Sequence, residues 1–126
     1  MDPDNPVVKL CVEITQAEFA GRLEDARALA ARAWRIANDD YEACIAAHYV
    51  ARFQQAAGER LRWDQVALER ADRTRDGRVA EFYPSLYLNL GHAHEQLGHD
   101  AEAQRYYRLA AERGAVHHRS AISEKQ

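Results

Sequence analysis

The chain has 126 residues, 47% of them hydrophobic, and a formal net charge of −3, so it is long enough for one domain with an apolar core and too short for two comfortable ones. Its 17 basic residues against 20 acidic ones supply no electrostatic grip of the kind that neutralises many phosphates, which excludes nucleic acid as an expected partner. Two cysteines, Cys11 and Cys44, are too few for a disulfide scaffold, and no basic leader precedes a long apolar run; the expectation is a reduced, cytoplasmic protein without a membrane span.

Prolines occur only at 3, 6 and 84, leaving most of the chain free to be helical, and no alternating apolar pattern between turn residues marks a strand. The expected class is all-α. Residues 1–5 read as a disordered lead-in, with Asn5 capping a helix that has Pro6 in its first turn. Val7, Leu10, Ile14, Ala17 and Phe19 carry an apolar pattern up to Gly21, and Ala26, Ala30 and Ala33 carry the next. Asn38, Asp39 and Asp40 end that helix and cap another, read as Tyr41 to Ala57 with Cys44, Ala47, His48 and Ala51 inward. Gly58 is the expected turn. A helix from Arg60 to Arg73 then offers Leu61, Trp63, Ala67, Leu68 and Ala71. Six arginines between Arg60 and Arg78 are interleaved with Glu59, Asp64, Glu69, Asp72 and Asp76, which reads as a solvated outer face.

The stretch 74–85 has two readings, a loop at Asp76 and Gly77 or a helix that starts early near Val79 and kinks at Pro84. Val79, Phe82 and Leu86 continue an apolar face and favour the second. Beyond it Tyr87, Leu90, His94 and Leu97 form one stripe, and Gly91 removes a side chain so that a partner helix bearing Ala103, Tyr107 and Ala110 can come close. Gly98 suits the left-handed end of a helix, and Asp100 is the expected N-cap of the next. Residues 116–126 read as a short cap or a flexible tail.

The pattern Tyr87-x2-Leu90-Gly91-x2-His94, followed by Ala103-x3-Tyr107-x2-Ala110, resembles the tetratricopeptide repeat (TPR) superfamily. Gly21, Ala26, Ala30 and Ala33 fall at the same offsets as Gly98, Ala103, Tyr107 and Ala110, and Tyr41 follows Val7 by the 34-residue period of that family. The resemblance implies three repeats, about 7–38, 41–75 and 79–115 within 6–115, stacked as antiparallel helix hairpins into a short right-handed superhelix. It assigns Ala26, Ala33, Trp63, Ala67, Tyr87, Leu90, Gly91, His94, Ala103, Tyr107 and Ala110 to the repeat core. Thr15, Glu18, Tyr49, Arg52, Phe53, Asn89, His92, Glu95 and Gln96 go to a concave groove. The second repeat departs from the pattern, with Arg60 in the slot for a small residue and Gln55 in that for the turn glycine, so its register is open by one residue.

The function this implies is a non-catalytic interaction module that binds a protein or peptide segment in the groove. Cys11 and Thr15 stand where a terminal-carboxylate clamp would need lysine and asparagine, so that clamp is not supported. Two alternatives stand beside it. One is a homodimer formed through an uncapped C-terminal repeat; the other is a small-molecule or enzymatic pocket around Tyr49, Arg52, His92 and Glu95. Cys44 with His48 is the nearest thing to a nucleophile and base, yet both are expected to be buried and inert. No ligand spacing supports zinc, and neither a metal nor a cofactor is expected.

Overall fold

A computed structural model describes residues 2–114; the expectation for 116–126 falls outside the described residues. Six α-helices follow one another: α1 (Pro6–Phe19), α2 (Leu23–Ile36), α3 (Asp40–Arg52), α4 (Ala57–Arg73), α5 (Tyr83–Gln96) and α6 (Asp100–Glu112), with a 3-10 segment (Gly77–Phe82) before α5. No strand occurs among the described residues, whose regular structure is all helical.

Short-range chemistry sets the ends of these helices. Asn5 caps α1, its Oδ1 accepting from the Val7 and Val8 backbone N–H at 2.8 and 3.2 Å, and Pro6 takes the first turn where its missing N–H costs nothing. Asp39 caps α3 through the Glu42 N–H at 2.8 Å, while the Glu42 carboxylate accepts from the Asn38 N–H at 2.8 Å and from Asn5 Nδ2 at 2.8 Å. One side chain therefore ties the starts of α1 and α3 together. The α1–α2 and α5–α6 turns are the same object. Gly21 and Gly98 adopt φ of 78° and 79°, and the residue after each donates back across the helix end, Arg22 to the Ala17 carbonyl at 2.8 Å and His99 to the His94 carbonyl at 2.9 Å. This is the Schellman closure that a left-handed glycine permits.

The α3–α4 turn corrects the sequence expectation. Helix α3 ends at Arg52 instead of Ala57, and Gly58 lies in the first turn of α4. Phe53 and Gln54 close the end with backbone bonds to Val50 and Ala51, and Arg60 donates to the Gln54 carbonyl at 2.9 Å. A side chain fixes this corner, so no left-handed glycine is needed. Asp100 is likewise not the N-cap of α6: His99 holds that position without a side-chain capping bond, and Asp100 sits in the first turn, where its charge faces the positive end of the helix. Pro84 does not kink a helix, because α5 begins at Tyr83 and Pro84 occupies its first turn. Val79 and Phe82, on the 3-10 segment, still pack with Leu86 against the core, as their apolar pattern indicated.

Each helix packs most extensively with the neighbour it is joined to by a short turn, α1 with α2, α3 with α4, α5 with α6; α2 and α4 then bridge to α3 and α5. Between α1, α2 and α3 the core holds Val7, Leu10, Cys11, Ala33, Tyr41 and Ile45. A second cluster places Ile14, Ala17, Ala26 and Ala30 against Val50, and a third gathers Cys44, Ala47, Ala67, Ala71, Val79 and Leu86. The even-numbered helices bury mainly alanine (Ala26, Ala30 and Ala33; Ala67 and Ala71; Ala103 and Ala110), which lets helix axes approach closely while Ile14, Leu90 and Val7 supply the bulk. Trp34 of α2 meets Trp63 of α4 edge to face at 5.1 Å. Among the expected core residues Trp63 and Tyr87 are half-buried, and Leu97, on the expected stripe, is exposed at the end of α5.

Candidate binding cleft

Helices α1, α3 and α5 carry a row of depressions that share walls. The first, about 250 Å³, is lined by Val8, Cys11, Val12, Thr15, Gln16 and Tyr49. Tyr49 is also a wall of the second, about 170 Å³ and bounded by Cys44, Ile45, His48, Glu81, Phe82, Ser85 and Leu86. His48 in turn is a wall of the third, about 400 Å³, whose lining is Ala51, Arg52, Arg60, Asp64, Asn89, His92 and Gln96. The lining turns from apolar to polar along the row.

Of the sequence-predicted groove residues, Thr15, Tyr49, Arg52, Asn89, His92 and Gln96 line these depressions. Glu18 joins them as the partner of Arg52, whose Nε and Nη2 each donate to its carboxylate at 3.0 Å. Phe53 packs instead into the cluster around Ile14 and Val50. Glu95 accepts from the Tyr107 hydroxyl at 2.5 Å, engaging α6. Phe19, expected in the apolar pattern of the first helix, is 93% exposed at the end of α1.

His48 departs from its expected core position and forms the half-buried partition between the second and third depressions. Its Nδ1 lies 3.2 Å from Asn89 Nδ2, which acts as the donor, so the ring accepts at Nδ1 and carries its proton on Nε2. Burial first, and the Arg52 charge second, lower its pKa and keep it neutral. Burial pushes the neighbouring Cys44 thiol up to about 12, with the Asp72 charge adding to the effect, so Cys44 and His48 do not make an activated nucleophile. Cys11 is pushed up to about 12 by burial alone. His94 lies outside the cleft; it is buried with Nδ1 3.0 Å from Nδ1 of His99. Among the described residues no group of three or more His, Cys, Asp or Glu is placed to hold a metal ion, and no helix is long and apolar enough to cross a membrane.

Sequence reasoning also misplaced Asp64 and Arg60. Asp64 was expected on a solvated face, yet it is only 4% exposed, and its Oδ2 has no hydrogen-bond partner among the described residues. Burial raises its pKa to about 7, against a smaller lowering by Arg60. Arg60 donates to Gln96 Oε1 at 2.6 Å and to the Gln54 carbonyl, both neutral acceptors. A signal for Asp64 was present: it precedes Ala67 by three residues and Ala71 by seven, on the buried stripe of α4.

Compared with family models, with curated proteins and with solved structures, the chain matches none, and the chemistry of the cleft rests on its own residues.

Proposed function

We propose that the protein is a non-catalytic binding module, a TPR-like stack of three helix hairpins that takes an extended segment of a partner protein or peptide along the face of α1, α3 and α5. The observation that carries this reading is the row of depressions joined through Tyr49 and His48. Two of them are smaller than the roughly 300–1,000 Å³ of a typical pocket for a small ligand, and a line of small compartments sharing walls suits successive side chains of one chain. The mixture of an aromatic ring, an amide, a guanidinium and apolar walls is the usual composition of a recognition surface.

The test is selection from a random displayed-peptide library, followed by mapping of the recovered peptides on the isotope-labelled protein. Peptides that shift the resonances of Tyr49, His48 and Asn89 together support the reading. Peptides that bind elsewhere and leave those three unmoved would remove it.

One observation favours a second reading, self-association at the third hairpin. Tyr87 and Tyr106 are half-exposed at the positions that Leu10 and Leu29 occupy in the first hairpin, where those leucines pack with the following helices. A monomer at all concentrations in light scattering eliminates this reading.

A further inference from the structure

The third compartment has an unusual charge inventory. Arg60 is half-buried there, and it donates to neutral oxygens of Gln96 and Gln54. No carboxylate lies within ion-pair distance of it among the described residues. Arg52, at the rim, has its charge matched by Glu18. Asp64 is one helical turn from Arg60 on the same stripe of α4, buried and unbonded at Oδ2. Facing it are His48 and Arg52 from α3, and His92 with the neutral Asn89 and Gln96 from α5. A buried polar atom without a partner is costly unless something else satisfies it, and a second cation would be repelled by an unmatched guanidinium.

Resting on the segment-binding reading above, we propose that this compartment receives the carboxylate of an aspartate or glutamate side chain of the bound segment, with Arg60 as its charge partner and Asp64 as a hydrogen-bond donor. An apolar side chain next to that acid enters the compartment beyond His48, walled by Ile45, Phe82 and Leu86. The acid thereby supplies a carboxylate at ion-pair distance from Arg60, which otherwise feels only the longer-range charge of Asp64, and an acceptor for Asp64. The step is one of binding and proton uptake only. The incoming carboxylate favours the protonated form of Asp64, so where free Asp64 is ionised each binding event takes one proton from solvent. Affinity for an acidic segment falls by up to about tenfold per pH unit once the pH exceeds the range in which free Asp64 is protonated.

The test uses the full chain and three capped dipeptides, acetyl-Leu-Glu-amide, acetyl-Leu-Gln-amide and acetyl-Leu-Lys-amide, titrated into the isotope-labelled protein. The Glu probe is expected to bind about tenfold more tightly than its neutral isostere, shifting the resonances of Arg60, Asn89 and His48, with the Lys probe weakest. Arg60→Gln is expected to erase the preference for Glu over Gln. Asp64→Leu, which cannot donate, weakens the Glu probe by about tenfold, and Asp64→Asn flattens its pH profile. The probe ranking on the wild-type chain does not depend on either variant folding. Equal binding of Glu and Gln overturns the proposal. A preference for Lys that is lost in Asp64→Asn also overturns it and makes Asp64 a cation acceptor, leaving the segment-binding reading in place. No shift of cleft resonances by any probe overturns it as well, and if library peptides also map elsewhere, the reading beneath it falls too.

Discussion

Gly91 and Tyr107 meet more closely than any side chain at position 91 allows: a Cβ there would stand 2.5 Å from Cε1 and 2.7 Å from Cδ1 of the tyrosine ring. The ring cannot yield cheaply, since it is buried, its hydroxyl donates to Glu95 and its edge faces His92 at 5.6 Å. Gly91→Ala is therefore expected to destabilise the protein by about 1–2 kcal/mol, the overpacking cost outweighing the roughly 1 kcal/mol gain in helix propensity. Tyr107→Ala loses about 3–5 kcal/mol. The double variant should be more stable than the sum of the two, because the clash vanishes with the ring. Denaturant titrations of all four proteins measure this, and strict additivity would disprove the contact.

Asp64 makes stability depend on pH with an unusual sign. Its folded-state pKa of about 7 stands above its ordinary 3.8, so between those values the native state holds a proton that the unfolded chain releases. Stability then falls as pH rises through that window, by an amount on the order of 4 kcal/mol from this group. Asp64→Asn should remove that slope and leave the variant more stable than the wild type above neutrality. Denaturation midpoints of both proteins across the pH range test it; parallel curves would place Asp64 in contact with water.

Arg52 is expected to matter little to stability. It is half-exposed, as the Glu18 pair to which it belongs also partly is, and such pairs contribute up to about 1 kcal/mol. Arg52→Ala should shift the melting temperature slightly while weakening capture of cleft-directed peptides. A large loss of stability would make Arg52 a structural residue.

The two thiols offer a chemical check. Cys11 and Cys44 are buried and pushed up to about 12, so neither should react with a thiol reagent at neutral pH in the native state, and both should react in denaturant. Fast native labelling of Cys11 ahead of Cys44 would reveal local opening of the first hairpin.

Much of this molecule was legible because local chemistry dictates it. Gly21 and Gly98 announce left-handed turns that any longer side chain would strain, and Asn5 and Asp39 announce helix starts. The α3–α4 corner was not legible, since a tertiary bond from Arg60 to the Gln54 carbonyl sets it in place of a local turn residue. The cleft was half legible. Tyr49, Arg52, Asn89 and His92, expected from their positions on the odd-numbered helices, line its depressions, but the even-numbered α4 contributes Arg60 and Asp64 from behind. A carboxylate among arginines in sequence reads as a solvent pair; only the depth of the alanine stripe, set by packing against α3 and α5, turns it inward.

The edge-to-face contact of Trp34 with Trp63 has an optical consequence. These are the only two tryptophans in the chain, one on the first hairpin and one on the second, so intrinsic fluorescence and near-ultraviolet dichroism report on a single seam. Their signals follow the seating of α2 on α4 and the core cluster that Leu86 of α5 shares with them, and report little on α6. If α6 detaches before the rest of the molecule opens, tryptophan emission will stay native while tyrosine absorbance and amide exchange already record the loss.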